Sequence, residues 1–150
     1  MKRFQFPLDR VRRWRSEQAS VEELKLGQLR DRLTALGQAK LGVELARTQS
    51  EQEVLGQPLI EACELQSLEE YRIHTRLQIR DIENQQRQCE QQIAAQRQRV
   101  IVARQKAELL ERLKQKALDE WLAANNREEE ALATELFLAK RQRQPSRRAS

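Results

Sequence analysis

Glycine and proline are scarce in this chain of 150 residues, with four of the first and three of the second, and neither occurs between Ser67 and Lys140. So long a stretch without a breaker excludes a fold made of many short elements and tight turns. Aromatic residues amount to 4% while charged residues reach 34%, which excludes a thick globular core and leaves a rod or a disordered chain. The two cysteines, Cys63 and Cys89, have neither ligand spacing nor a second pair nearby, so a zinc cluster or disulfide framework is excluded and both read as small apolar residues. The single histidine, His74, has no companion set, and the acidic run Glu128-Glu129-Glu130 reads as a solvated face. A Gly-rich phosphate loop, a nucleophile elbow and a zinc signature are all missing. The chain is therefore expected to be no enzyme and to use no metal or cofactor. A secretory signal and a membrane span are missing too: Met1-Lys2-Arg3-Phe4 leads into Pro7, Asp9 and a group of arginines without an apolar run, which predicts a cytoplasmic start.

What is present is a period. Stepping alternately three and four residues from Ile79 meets Ile79, Ile82, Cys89, Ile93, Val100, Ala103, Ala107, Leu110, Ala117, Trp121, Ala124, Ala131 and Leu138, with Gln86, Gln96, Lys114, Glu128 and Glu135 on the same register. A seam this narrow and sustained predicts one coiled-coil helix over about 67–140, on the order of 100 Å long at 1.5 Å per residue. Disordered segments do not keep such a seam.

A first helix is predicted over about 8–54, because Pro7 suits a helix start and Asp9 suits the positive end of the helix dipole. Its apolar residues fall in two rows, Val11, Trp14, Val21 and Leu24, then Leu26, Leu29, Leu33, Leu36 and Val43. The drift between the rows predicts local unwinding or a third packing element near residues 21–26. Gly56-Gln57-Pro58 marks the break between the arms. The long helix has two candidate starts, directly at Leu59-Ile60-Glu61-Ala62-Cys63 with Pro58 in its first turn, or at the capping box Ser67-Leu68-Glu69-Glu70; a turn or short helix over 55–66 followed by the long helix from 67 reconciles the two. Pro145 ends the pattern and leaves a mobile basic tail over 141–150.

Together these features predict an all-α fold, a single elongated domain over 1–150 built as an antiparallel two-helix coiled-coil hairpin. The alternative is a parallel dimer of single long helices. It is disfavoured because proline inside a helix costs about 3 kcal/mol. The longer arm should overhang the shorter by roughly 40 Å. Arg10, Arg12, Arg13 and Arg15 near one terminus and Lys140, Arg141, Arg143, Arg147 and Arg148 near the other then lie toward the same end, with Trp14 and Trp121. Tryptophan and arginine are enriched as interface anchors. The net charge of +5 also admits a nucleic-acid partner, but no uninterrupted leucine seam follows the basic cluster, as a basic-region zipper would need. A generic coiled-coil scaffold is a further alternative.

The start Met-Lys-Arg-Phe-Gln-Phe-Pro-Leu-Asp-Arg-Val-Arg-Arg-Trp-Arg, the break between the arms, the stretch Leu110-Glu111-Arg112-Leu113-Lys114-Gln115-Lys116 and the Glu-rich end with Phe137 and Leu138 resemble the FliJ family of bacterial flagellar export proteins. The resemblance covers nearly the full length. It implies a non-enzymatic component of the type III protein export apparatus, a coiled coil similar to the stalk of rotary ATPases. Such a component would be cytoplasmic, peripherally associated with the inner membrane at the flagellar base, and monomeric. The partners implied are the flagellar export ATPase hexamer, the export-gate membrane protein and the export chaperones, with no nucleic acid. ATPase binding is then expected at Val11, Arg13, Trp14, Trp121, Leu136 and Phe137, and export-gate binding at Tyr71, Ile73 and Leu77. Arg80 and Asn84 depart from the small residue and the histidine expected there.

Overall fold

A computed structural model describes residues 2–144. It is all-helical: helix α1 spans Asp9–Leu55 and helix α2 spans Ala62–Arg143, and these two long helices pack against each other. The predicted tail falls partly outside this account. Lys140, Arg141 and Arg143 form the last turn of α2, where cations oppose the negative end of the helix dipole, and residues 145–150 lie outside the described residues.

The helix ends follow from local chemistry. Pro7 and Leu8 form a turn in which the Phe6 carbonyl accepts the Asp9 N–H at 3.1 Å and the Leu8 carbonyl accepts the Arg12 N–H at 2.9 Å. At the other end of α1, the Gly56 N–H donates to the Gln52 carbonyl at 2.9 Å, and a Cβ on Gly56 would lie 2.7 Å from that oxygen. Only glycine fits so close an approach.

Helix α2 opens at Ala62, ahead of the Ser67 capping box. The Glu61 carbonyl accepts the N–H groups of Glu64 at 3.1 Å and Leu65 at 3.3 Å, so the first free donors are met upstream and Ser67 lies inside the helix. A separate short helix does not form, and Leu59 is left 87% exposed in the connection.

The chain packs as two units, one of Gln18–Ala103 and one of Met1–Glu17 with Arg104–Ser150. In the first, Leu26, Cys89, Ile93 and Val100 form the core, flanked by Leu29, Leu33 and Leu36. The helices here run antiparallel: Glu22 meets Gln96, Leu29 meets Cys89, Lys40 meets Glu83 and Glu51 meets Arg72. Burial on α2 recurs at Leu68, Thr75, Cys89, Ile93, Gln96 and Val100, which keeps the alternating spacing of three and four.

On α1 the two predicted rows do not share a face. The row through Leu26, Leu29, Leu33 and Leu36 continues backward through Glu22 and Ala19, whereas Val21 and Leu24 are exposed. The helix neither unwinds nor recruits a third element at 21–26, because a polar residue on the inward row is satisfied there. The Gln96 amide, 5% exposed, donates to the Glu22 carbonyl at 3.0 Å and to the Glu22 carboxylate. A buried amide with both partners supplied carries little penalty. The cysteines also differ from their prediction as a pair: Cys89 is buried, with its thiol donating to the Leu29 carbonyl at 3.3 Å, while Cys63 is exposed beside Glu61.

In the second unit the inward residues are Arg12 and Arg15 on α1 and Leu110, Lys114, Ala117, Leu118 and Trp121 on α2. Val11 and Trp14 lie off this row and are exposed. Ahead of α1, residues 2–6 take no helix and run beside α2 as a strap, with Phe4 on Trp121 at 5.9 Å between ring centroids. The strap lies beside part of the length predicted to be bare, so the fully exposed end of α2 is residues 126–143, about 27 Å at 1.5 Å per residue.

The inward phase of α1 is testable with two neighbouring leucines, Leu26 at 9% exposure and Leu24 at 63%. Leu26→Ala should cost about 2–3 kcal/mol and Leu24→Ala less than about 0.5 kcal/mol in urea unfolding followed by helical circular dichroism. Equal costs would contradict this phase.

Candidate partner interface

The residues singled out in the sequence fall in both units. In the unit of Met1–Glu17 and Arg104–Ser150, the first turn of α1 is organised by Asp9. Its Oδ1 accepts the Arg12 Nε–H at 2.9 Å and its Oδ2 accepts the Arg13 Nε–H at 3.0 Å. Arg12 turns inward and also donates to Glu111 on α2 at 2.8 Å. The i,i+3 and i,i+4 spacings place both arginines over the same carboxylate. The hydrogen bond from Arg12 is the main cause holding the Asp9 carboxyl below its ordinary value of 3.8, with the charges of Arg12, Arg13 and Lys114 adding to it against a partial opposing effect of burial.

The outward flank of this turn carries the predicted anchors. Val11 is 42% exposed and Trp14 49% exposed, and the Arg15 guanidinium sits 4.6 Å from the centre of the Trp14 ring. Such cation–π contact holds a large aromatic surface in a fixed orientation without burying it. Arg13 keeps 71% of its side chain exposed despite its bond to Asp9. Val11 and Trp14, three apart, therefore share one exposed flank, while Arg13 is presented to solvent on the Asp9 side of the helix.

Trp121 differs, being half-buried on the inward face of α2 beneath Phe4. Leu136 and Phe137 are 66% and 65% exposed and lie roughly 24 Å further along α2. The six predicted contacts thus divide into the exposed pair Val11 and Trp14, Arg13 on another side of the same turn, one covered ring and one distant pair. Phe4 and Lys114 are absent from the predicted contacts, and Arg15 enters the sequence reading only as part of the basic cluster beside Trp14. The two phenylalanines ahead of Pro7 were the signal for Phe4, and the adjacency of Arg15 to Trp14 was the signal for the stacked pair.

In the unit Gln18–Ala103, Tyr71, Ile73 and Leu77 divide between two places. Tyr71 is half-buried and lines a cleft with Val54, Cys63, Ser67 and Leu68. Ile73 and Leu77, 50% and 59% exposed, line a separate groove with Arg47, Arg76 and Arg80. Helix geometry explains the split, since residues four apart share a face and residues two apart do not. His74 is exposed. Among the described residues no group of three or more His, Cys, Asp or Glu is placed to hold a metal ion, and no helix is long and apolar enough to cross a membrane. Val11 and Trp14 beside Arg15, and Ile73 and Leu77 beside Arg47, Arg76 and Arg80 with Glu44 and Glu83, each set apolar side chains among charged ones, the chemistry of a protein-binding surface.

The Asp9 geometry makes the first turn of α1 sensitive to acid. A carboxyl whose pKa is lowered on folding contributes stability above its unfolded value and loses it as pH falls through the folded value. Asp9→Asn should therefore lower the thermal midpoint at pH 7, whereas the gap between the two chains should narrow at a pH below the ordinary carboxyl value of 3.8. Circular dichroism melts at the two pH values check this, and an equal gap at both would contradict it.

Comparison with protein-family models, with characterised proteins and with solved structures finds no match to this chain.

Proposed function

We propose that this chain is a non-enzymatic component of the bacterial flagellar type III export apparatus. It acts as the central stalk and activator of the export ATPase ring, and links that ring to the export gate and to export chaperones. The proposal rests on the sequence resemblance to the FliJ family. The structural observation that supports it is the presentation of Val11, Arg13 and Trp14 to solvent at the start of α1, where tryptophan and arginine supply the contacts that dominate protein interfaces.

In this proposal the two helices wind as an antiparallel coiled coil whose end near the termini enters the ATPase ring. A stalk must be stiff and must carry its contacts on its outside, and helices that spend their inward rows on each other leave the off-phase residues for a partner. A chain that pairs its own helices needs no second copy to cover those rows, which supports a monomer. Ile73 and Leu77, together on one groove, would form the contact with the export gate, and Tyr71 would contribute from its neighbouring cleft. The protein would work in the cytoplasm, held at the inner membrane through its partners.

The test mixes the purified chain with a cognate flagellar export ATPase and measures hexamer formation and ATP hydrolysis. Both should rise, and Arg13→Ala with Trp14→Ala should weaken the apparent affinity about tenfold or more, as loss of hot-spot side chains does. Ile73→Ala with Leu77→Ala should leave stimulation unchanged while reducing capture of the gate protein's cytoplasmic domain. No stimulation at stoichiometric excess would remove the proposal.

A further inference from the structure

Beside the first turn of α1, within the unit of Met1–Glu17 and Arg104–Ser150, lies a cleft of about 520 Å³. Its walls bring together Arg3, Arg13 and Lys114, the rings of Phe4 and Phe6, and a single carboxylate, Asp9. That carboxylate is already committed, one oxygen to Arg12 and the other to Arg13. Among the described residues no carboxylate lies within ion-pair distance of Arg3 or of the Lys114 ammonium. The cleft therefore faces three cations with one shared anion, and like charges lining one recess repel until a counter-charge enters it.

The strap adds an independent feature. Residues 2–6 form neither helix nor turn, and among the described residues the N–H and carbonyl groups of residues 3–5 make no backbone hydrogen bond. A strap outside helix and turn, with main-chain groups that no other backbone occupies, can receive an extended chain beside it.

We infer that this cleft binds an acidic, extended segment of a protein partner, with its carboxylates on Arg3, Arg13 and Lys114 and its main chain beside residues 3–5. Arginine forks match carboxylates well, and Phe4 and Phe6 offer an apolar wall to the peptide's side chains. A compact phosphate would concentrate its charge against Asp9 in the same recess, whereas carboxylates spaced along a chain avoid it. The inference rests on the proposed function for the partner's identity only.

The test uses the full chain and a fluorescein-labelled hexaglutamate peptide, read by fluorescence anisotropy at low ionic strength, where exposed charges are least screened. Binding should saturate, and Arg3→Glu and Lys114→Glu should each weaken it about fivefold, in keeping with the modest strength of exposed ion pairs. Arg127→Glu makes the same charge change at an exposed position away from the cleft and should change binding less than about twofold. Unchanged helical circular dichroism shows that each variant is folded. Absence of saturable binding, or equal weakening by Arg127→Glu, overturns the site. Competition by inorganic tripolyphosphate as strong as that by unlabelled hexaglutamate overturns the peptide as its occupant. Peptide binding without ATPase stimulation keeps the cleft and removes the export-ATPase proposal; stimulation without peptide binding does the reverse.

Discussion

A pair of helices has one line of contact, and every buried side chain must come from the narrow row that each helix turns toward the other. Roughly two residues in seven can serve, so the apolar contribution is thin and the phase of the row decides nearly everything. In the unit Gln18–Ala103 that contribution comes from Leu26, Cys89, Ile93 and Val100, with Leu29, Leu33 and Leu36 at the margin. A polar residue that falls in phase has to be satisfied by the facing helix, because few other partners are within reach. Gln96 meets this requirement with two bonds to Glu22. In the other unit Arg12 meets it through Glu111 on α2, with Asp9 of its own helix as a second partner.

The same constraint accounts for the surface. Once the phase of α1 is set by its inward leucines, an apolar residue out of phase stays outside however hydrophobic it is. Trp14 and Val11 are left exposed in this way in one unit, and Val21 and Leu24 in the other. Scattered exposed apolar residues are ordinary on a protein surface. Trp14 stands apart because Arg15 is stacked on its ring, which orients it and keeps part of its face available. The candidate interface is thus made of residues that the pairing of the helices could not use.

The strap changes the character of the region near the chain start. Pro7 ends helical continuation toward the N-terminus, and Phe4 then finds cover on Trp121. Packing of the strap brings Arg3 to the same recess as Arg13 and Lys114. The cations near the chain start are divided by their partners. Arg12 is consumed by Asp9 and Glu111, while Arg3 and Lys114 face the cleft.

Period and breakers alone determined that the chain is helical, that its two helices meet at Gly56-Gln57-Pro58, and that α2 keeps its inward row through Cys89, Ile93, Val100, Leu110 and Trp121. These depend on local backbone preference and on spacing along one strand of sequence, so they are legible there. Tertiary structure decided which of two plausible rows on α1 turns inward, since Glu22 and Arg12 could join the row only because Gln96 and Glu111 stand opposite them. It also parted Cys63 from Cys89, covered Trp121, and gathered Arg3, Arg13 and Lys114 around one cleft. In each case the outcome turns on a side chain far away in sequence. A period read along one helix contains no information about what the facing helix or the strap will supply.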